Sequence, residues 1–304
     1  MWAMKFISDI EKNKSLICSS IKKYGYAPEH NFEWYKIQKQ GGAKSIFVLS
    51  KDKTGLLTIE DGLKKTATVF SLPLAPASKR VKIIIEYISK VLAGHNIQKV
   101  IFELEESLYK NLLFALPKEF KANRINYTLV WPVYNLTKFD VSLARGQWKT
   151  LRKVKNRFYK NHQVKFTDAK KYLDKNSLIG IIERWHKNRS GNDRTNRQKY
   201  IKYIEDNFEG ATEARVLIVD GRAVGINAGW KIPNSDRFYG AIGIGDYSLA
   251  DLGDMLYFED LVYLKKQGYA KADMGGGEAA LTDFKNKFKP ESYYKTHIFS
   301  IVKT

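Results

Sequence analysis

Residues 237–290 read RFYGAIGIGDYSLADLGDMLYFEDLVYLKKQGYAKADMGGGEAALTDFKNKFKP, and the reading of this stretch decides the fold. It parses as a strand at 238–244, a loop, a helix at 252–267, a second strand at 269–274, a glycine-rich turn and a short basic helix. A helical crossover between two strands makes them parallel neighbours. Their C-terminal ends then share one edge, where the loops 246–253 and 275–278 meet. In open α/β sheets that edge is where ligands bind.

Outward from there, size and charge set bounds. The chain has 304 residues, 44% of them hydrophobic, enough to bury one large core or two smaller ones. No apolar run reaches the ~18–20 residues of a membrane span. The opening MWAMKFISDIEKNK lacks the apolar region and cleavage site of a signal peptide, and the lone Cys18 allows neither an intramolecular disulfide nor a cysteine-rich metal site. A cytoplasmic protein is the expectation. The net charge of +20 is unevenly spread. Residues 1–140 carry 22 Lys/Arg against 13 Asp/Glu, residues 141–202 carry 18 against 4, and residues 203–304 carry 12 against 15. The positive excess therefore sits in a central block, and such a field attracts polyanions.

Along the chain, residues 4–24 have the apolar spacing of an amphipathic helix ending at Gly25, with Phe6, Ile7, Ile10, Leu16, Ile17 and Ile21 on its buried face. Residues 30–39, rich in aromatics, read as a strand or partly buried loop. Strands follow at 45–49, 56–59 and 66–72. A helix at 78–93, with Ser78 as its cap, is stopped by Gly94. A strand at 99–104, a helix at 105–116 and a strand at 127–133 complete the first half. The second half opens with QWKTLRKVKNRFYK at 147–160, then a strand at 164–166 and helices at 172–188 and 196–207 around a basic loop at 188–194. Strands 214–219 and 222–230 form a hairpin on Asp220-Gly221, a pair suited to a type I′ turn.

Four features resemble the acetyltransferase (GNAT) superfamily in its tandem form, and more closely the FemABX peptidoglycan aminoacyltransferases and the catalytic domain of lysyl-phosphatidylglycerol synthases (DUF2156-like). They are the hairpin VLIVDGRAVGINAGW, the strand and loop YGAIGIGDYSLADLGDML, the segment LVYLKKQGYAKADMGGG, and Phe284-Lys285-Asn286-Lys287-Phe288. The resemblance implies an α/β (α+β) fold of two tandem GNAT-like units, mixed sheets flanked by helices. Residues 1–141 would be a degenerate first copy and residues 142–304 the catalytic unit. It also implies transfer of an acyl or aminoacyl group to an amine or hydroxyl.

Within that frame, Lys285 is the expected catalytic cation and Phe284 its neighbour, with Asp246 and Asp273 as candidate bases. Glu278 is a further acid at the turn. The donor would lie along Ile242, Gly243 and Ile244, the loop residues Ser248, Leu249 and Gly253, and the turn Gly275, Gly276, Gly277 and Glu278. The superfamily's pyrophosphate loop normally carries Arg/Gln-x-x-Gly-x-Gly/Ala. Here that pattern is missing and Asp251 and Asp254 stand in its place, charges that disfavour coenzyme A. Asp251 reads equally as a helix cap. Lys149, Arg152, Lys153, Lys155, Arg157 and Lys160, interleaved with Trp148, Phe158 and Tyr159, suit phosphate contacts with stacking. They also suit an anionic membrane surface or a plain solvated helix face.

Other chemistry is disfavoured. His30, His95, His162, His186 and His297 show no metal-ligand spacing, and there is no Gly-x-Ser-x-Gly elbow or P-loop. The expectation is thus an aminoacyltransferase with no tightly bound cofactor and no metal, taking its donor from aminoacyl-tRNA. An acyl-CoA-dependent N-acyltransferase and a non-catalytic module binding RNA or anionic lipid are the alternatives.

Overall fold

The computed structural model describes residues 4–39, 41–94, 96–189 and 195–304. The basic loop expected at 188–194 lies mostly outside them, as does His95. The first half runs β1 (Lys5–Ile7), α1 (Lys14–Tyr24), α2 (Phe32–Lys36), β2 (Lys44–Leu49), β3 (Gly55–Asp61), β4 (Thr66–Val69), α3 (Arg80–Ala93), β5 (Lys99–Glu105), α4 (Glu106–Ala115), β6 (Phe120–Ala122) and β7 (Tyr127–Asn135). The second runs α5 (Lys149–Asn161), β8 (Val164–Asp168), α6 (Lys175–Asn188), α7 (Arg197–Glu205), β9 (Glu213–Val219), β10 (Arg222–Lys231), β11 (Arg237–Gly245), α8 (Leu252–Lys266), β12 (Lys271–Asp273), α9 (Ala279–Asn286) and β13 (Ser292–Lys303).

All these strands form one mixed sheet, ordered β1-β2-β3-β4-β5-β13-β7-β12-β11-β10-β9-β8, with β6 on the end of β13. Each half contributes four strands in an antiparallel run and then a helical crossover to a parallel strand. In the first half α3 carries β4 to β5. In the second α8 carries β11 to β12. The final strands are exchanged. β13, the last of the second half, pairs with β5 of the first. β7, the last of the first half, pairs with β12 of the second. β7 and β13 also pair with each other, from Ser292↔Val133 to Ile298↔Tyr127.

The core follows the sheet. Helices α3 and α4 cover the first half, where Ile84, Ile88, Phe102 and Phe299 are fully buried. Helices α8 and α5 cover one face of the second half through Leu151, Phe158 and Leu261, and α6 and α7 the other through Ile181, Ile182 and Ile204. The segment 25–39 holds the halves together. Trp34 packs against Tyr203 and Trp230 at ring separations of 5.4 and 5.5 Å. Trp230 donates its indole N–H to the Pro28 carbonyl, and Asn234 donates to the carbonyls of Lys22 and Gly25.

Several local readings change. Residues 4–24 are not one helix: 5–7 pair with Val48 and its neighbours as an edge strand, and the helix begins only at Lys14. Residues 32–36 are helical, because Asn31 caps the turn by accepting from the Trp34 N–H. Ser78 lies in a 3₁₀ turn and caps nothing. Strand β13 has no counterpart in the sequence reading at all. The Asp220-Gly221 turn is as expected, both residues having positive φ (50° and 81°).

Trp34 is 2% exposed and central to the seam between the halves. Trp34→Ala should lower the unfolding free energy by about 3–5 kcal/mol, the usual cost of emptying a buried aromatic site. Denaturant titration followed by circular dichroism measures it.

Candidate active site at the split between β11 and β12

β11 and β12 pair in parallel over only three positions, ending at Tyr239↔Asp273. β11 continues to Gly245 with its other edge held by β10, so it leaves β12 behind. At Gly240 the two chains are still in contact, since a Cβ there would lie 2.9 Å from the Met274 sulfur. At Gly243 a Cβ would meet nothing within 4 Å. The parted edge is therefore 242–245, where Ile242 and Ile244 are buried and Gly243 is exposed.

The glycine turn closes the other side. Gly275 has φ of 79°, a conformation that favours glycine. Gly276 has no room for a side chain, because a Cβ would sit 2.6 Å from the Trp131 indole. Gly277 exchanges backbone hydrogen bonds with Val130 of β7, at 3.0 and 2.9 Å. Close approach to β7 is thus what the second and third glycines provide. Glu278 is exposed at the head of α9.

Lys285 projects from α9 into this turn and is 4% exposed. Its ammonium donates to the carbonyls of Met274 at 2.8 Å and Gly275 at 2.6 Å. An ammonium has three N–H groups, so one remains for a further acceptor. Burial pulls the Lys285 pKa down to about 8, against the pull of Asp273 in the other direction. The helix that carries it is held by Tyr134, whose hydroxyl donates to the Lys285 carbonyl and accepts from Tyr257. Phe284, half-buried, meets Tyr257 edge-on at 5.6 Å and borders Gly253 at the start of α8.

The two candidate bases are differently placed. Asp273 is fully buried beside the turn. It accepts from the Tyr294 hydroxyl at 2.7 Å and the Gly275 N–H at 3.3 Å, with the Arg237 guanidinium at 3.8 Å. Burial raises its pKa to about 6 despite those partners. Asp246 is 1% exposed and engaged by Arg184 at 3.0 Å, by the Ser248 N–H and by the Ser248 hydroxyl. Arg222 donates to that same hydroxyl. Asp246 therefore anchors the loop 246–252, whose Leu249 packs on the core beneath.

The acids at the head of α8 are balanced. Asp251 occupies the cap position with φ of 64° but makes no side-chain cap bond; its carboxylate pairs with Arg157 of α5 instead. Asp254 pairs with Lys287 at 2.9 Å. On α5 the six basic residues divide. Arg152 donates to the carbonyls of Leu143, Ala144 and Arg145, and Arg157 is committed to Asp251. Lys155 lies over the Phe258 ring. Lys149, Lys153 and Lys160 are exposed. Among the described residues no group of His, Cys, Asp or Glu is arranged to hold a metal ion, and no helix is long and apolar enough to cross a membrane.

Sequence reasoning did not single out Tyr134, Tyr257, Tyr294, Arg237, Trp131 or Arg184. Tyr294 had a signal: 292–301 is dense in aromatic and β-branched residues, as strands are. The others are brought in by strand order and helix packing.

No family model matches the chain, and no curated protein matches it. Solved structures do. L-PGS from Bacillus licheniformis superposes with a TM-score of 0.67 at 14% identity, over 94% of this chain and 90% of that one. FemX does so at 0.61 and 9% identity, over 95% of each. A tandem GNAT protein from the clavulanic acid biosynthesis pathway does so at 0.55 and 10% identity, over 99% and 98%. The likeness is one of fold: this chain has the mixed α/β, tandem GNAT-like architecture that its strand, turn and Phe-Lys motifs led us to expect.

Proposed function

We propose that the protein is an acyltransferase that moves an aminoacyl group from aminoacyl-tRNA to an amine or hydroxyl acceptor. The observation that carries this reading is the buried Lys285 ammonium, fixed by two carbonyls at the mouth of the β11/β12 split with one N–H to spare. The donor's carbonyl would enter the split along 242–245. The acceptor's nitrogen or oxygen attacks the carbonyl carbon, forming the new bond and an oxyanion that the free N–H of Lys285 receives. Collapse breaks the ester C–O bond, and the ribose oxygen leaves with a proton derived from the acceptor. A preset cationic donor in a water-poor site stabilises that oxyanion more than the ground-state carbonyl.

The choice of tRNA rests on the central positive block and on the exposed Lys149, Lys153 and Lys160 of α5. The solved relatives named L-PGS and FemX are in keeping with an acyl-transfer reading. A second reading, an acyl-CoA donor, is favoured by one observation. Asp251 and Asp254 are each paired with a cation, so the head of α8 is not the negative surface that would repel a pyrophosphate.

Three outcomes are expected. Binding of charged tRNA should weaken roughly 10- to 100-fold between 50 and 200 mM salt, and replacing Lys149, Lys153 and Lys160 by Ala should flatten the log–log slope by about 2. Filter binding across a salt series measures both; a flat profile, or a melting shift with acyl-CoA in its place, removes the tRNA donor. Lys285→Met should leave tRNA binding intact and lower kcat by about 100- to 1000-fold, the cost of one oxyanion donor.

The third concerns pH. A lysine whose pKa falls from 10.5 to about 8 on folding binds fewer protons in the folded state between those values. Stability relative to Lys285→Met should therefore rise as pH goes from 8 to 10.5, by up to about 3 kcal/mol. Paired denaturant titrations across that window give the difference, and a pH-independent difference would show that the amine is solvated.

A further inference from the structure

The edge of the sheet holds a cavity of about 280 Å³, on the face that α8 covers. It lies on β8 and β9, with β10 and β11 between it and β12, and it shares no residue with the lysine turn. Glu213 and Arg215 come from β9, Phe166 and Asp168 from β8, Lys170 from the turn after β8, and Tyr263 from α8. Residues two apart on a strand point to the same side, so Glu213 and Arg215 face the cavity together.

Arg215 is 8% exposed. Its Nη2 donates to the Asp260 carboxylate at 2.9 Å and to the Glu259 carbonyl at 3.2 Å. The guanidinium lies 3.7 Å from the centre of the Tyr263 ring and 4.6 Å from that of Phe166, contacts that fix its plane. A guanidinium has five N–H groups, and the two hydrogen bonds use only those of Nη2. The others, on Nε and Nη1, have no acceptor among the described residues, and neither nitrogen is sealed inside the protein. They open into the cavity that the residue lines. Donors on a nearly buried side chain are costly to leave unmet. Asp260, 4% exposed, already cancels the Arg215 charge. Arg215 therefore offers directed N–H groups and no surplus positive charge.

The surplus charge has the other sign. With Asp260 counted, the site sets Arg215 and Lys170 against Asp168, Glu213 and Asp260, a net of −1. Lys170 is exposed and donates to the Ala211 carbonyl. Glu213 accepts from the hydroxyls of Tyr263 at 2.7 Å and Tyr269 at 3.2 Å, so its partners among the described residues are neutral. A phosphate or a dicarboxylate would meet that negative balance, and a plain amine would leave the guanidinium donors empty. A zwitterion satisfies both. At strand rise, Glu213 and Arg215 are roughly 7 Å apart along β9. That is about the span of an α-amino acid's charged groups with a hydrogen bond at each end. Among the described residues the acids are not arranged to hold a metal ion. The volume falls below the roughly 300–1,000 Å³ of pockets for drug-sized ligands, which limits the side chain to a small one.

We propose that this cavity binds a free α-amino acid with a small uncharged side chain, its carboxylate on the open N–H groups of Arg215 and its ammonium on Glu213. The site is independent of the acyl-transfer reading, since Lys285 and its partners take no part in it.

The test is calorimetric titration of the full-length protein with L-valine, with isovalerate, which lacks the ammonium, and with isobutylamine, which lacks the carboxylate. L-Valine should bind, and the other two should bind about tenfold more weakly or not at all, each having lost a hydrogen bond between charged groups. Arg215→Lys keeps a cation for Asp260 and removes the outward donors. Glu213→Gln keeps an acceptor for the two phenols and removes the charge. Each should weaken L-valine by about tenfold or more. Lys285→Met should bind L-valine as the parent does, whatever becomes of tRNA or acyl-CoA binding, so failure of one reading is distinguishable from failure of the other. No L-valine binding at millimolar concentration, equal binding of isovalerate or isobutylamine, or unchanged affinity in both variants would overturn the proposal. If either variant fails to fold, the three ligands on the parent protein decide it.

Discussion

The reciprocal exchange of last strands is the constraint on which the rest depends. β13 offers one backbone edge to β5 and the other to β7, so the ladders of both halves pass through it. Without β13, β5 and β7 would each present unpaired N–H and C=O groups, a costly state in a buried sheet. The exchange also sets side chains. Tyr294, two residues into β13, reaches Asp273 on β12, which belongs to the second half. Thr296, two residues on, reaches Glu103 on β5, which belongs to the first. One strand thus ties the acid beside the lysine turn to Glu103 on β5.

The same arrangement explains how a lysine can be buried beside that turn. An ammonium taken out of water loses its solvation, and the protein returns part of it through fixed dipoles and a counter-charge. Here the dipoles are the carbonyls of Met274 and Gly275, and the counter-charge is Asp273. Gly275 can turn its carbonyl to the lysine because its φ is positive. Gly276 can lie against Trp131 because it has no side chain. The three glycines are therefore structural requirements of the lysine's position, and a direct contact of theirs with a ligand is not needed to account for them.

Much of this was legible in the sequence, and the failures have physical causes. The parallel pair and its helical link followed from apolar runs separated by a helix-length segment, a local pattern. The hairpin followed from Asp220-Gly221. What was lost depended on distant partners. Residues 5–7 have apolar spacing that fits a helix, yet they become a strand because β2 offers an edge. Residues 32–36 are rich in aromatics, which suggests a strand, but the Asn31 cap wins. That cap was readable; the aromatic content outweighed it. β13 was readable too, from its aromatic and β-branched density. Its place between β5 and β7 was not, because nothing local says which half a final strand will join.

Charge shows the same limit in a different form. Asp251 and Asp254, read within their own loop, make the head of α8 negative. In the fold Arg157 arrives from 94 positions away and Lys287 from 33, and both acids are neutralised. The same pairing draws Arg157 out of the basic block, while Arg152 is spent on three carbonyls. A window count of Lys and Arg therefore overstates the free positive charge on α5 and overstates the negative charge opposite it. What remains is an exposed trio, Lys149, Lys153 and Lys160, on a helix packed against α8. Because the paired charges cancel close to the split, the field an approaching polyanion meets comes from the unpaired lysines. It would steer a backbone of phosphates along α5 without dictating what enters between β11 and β12, since screened surface charge sets encounter and the shape and dipoles of the cleft set selection.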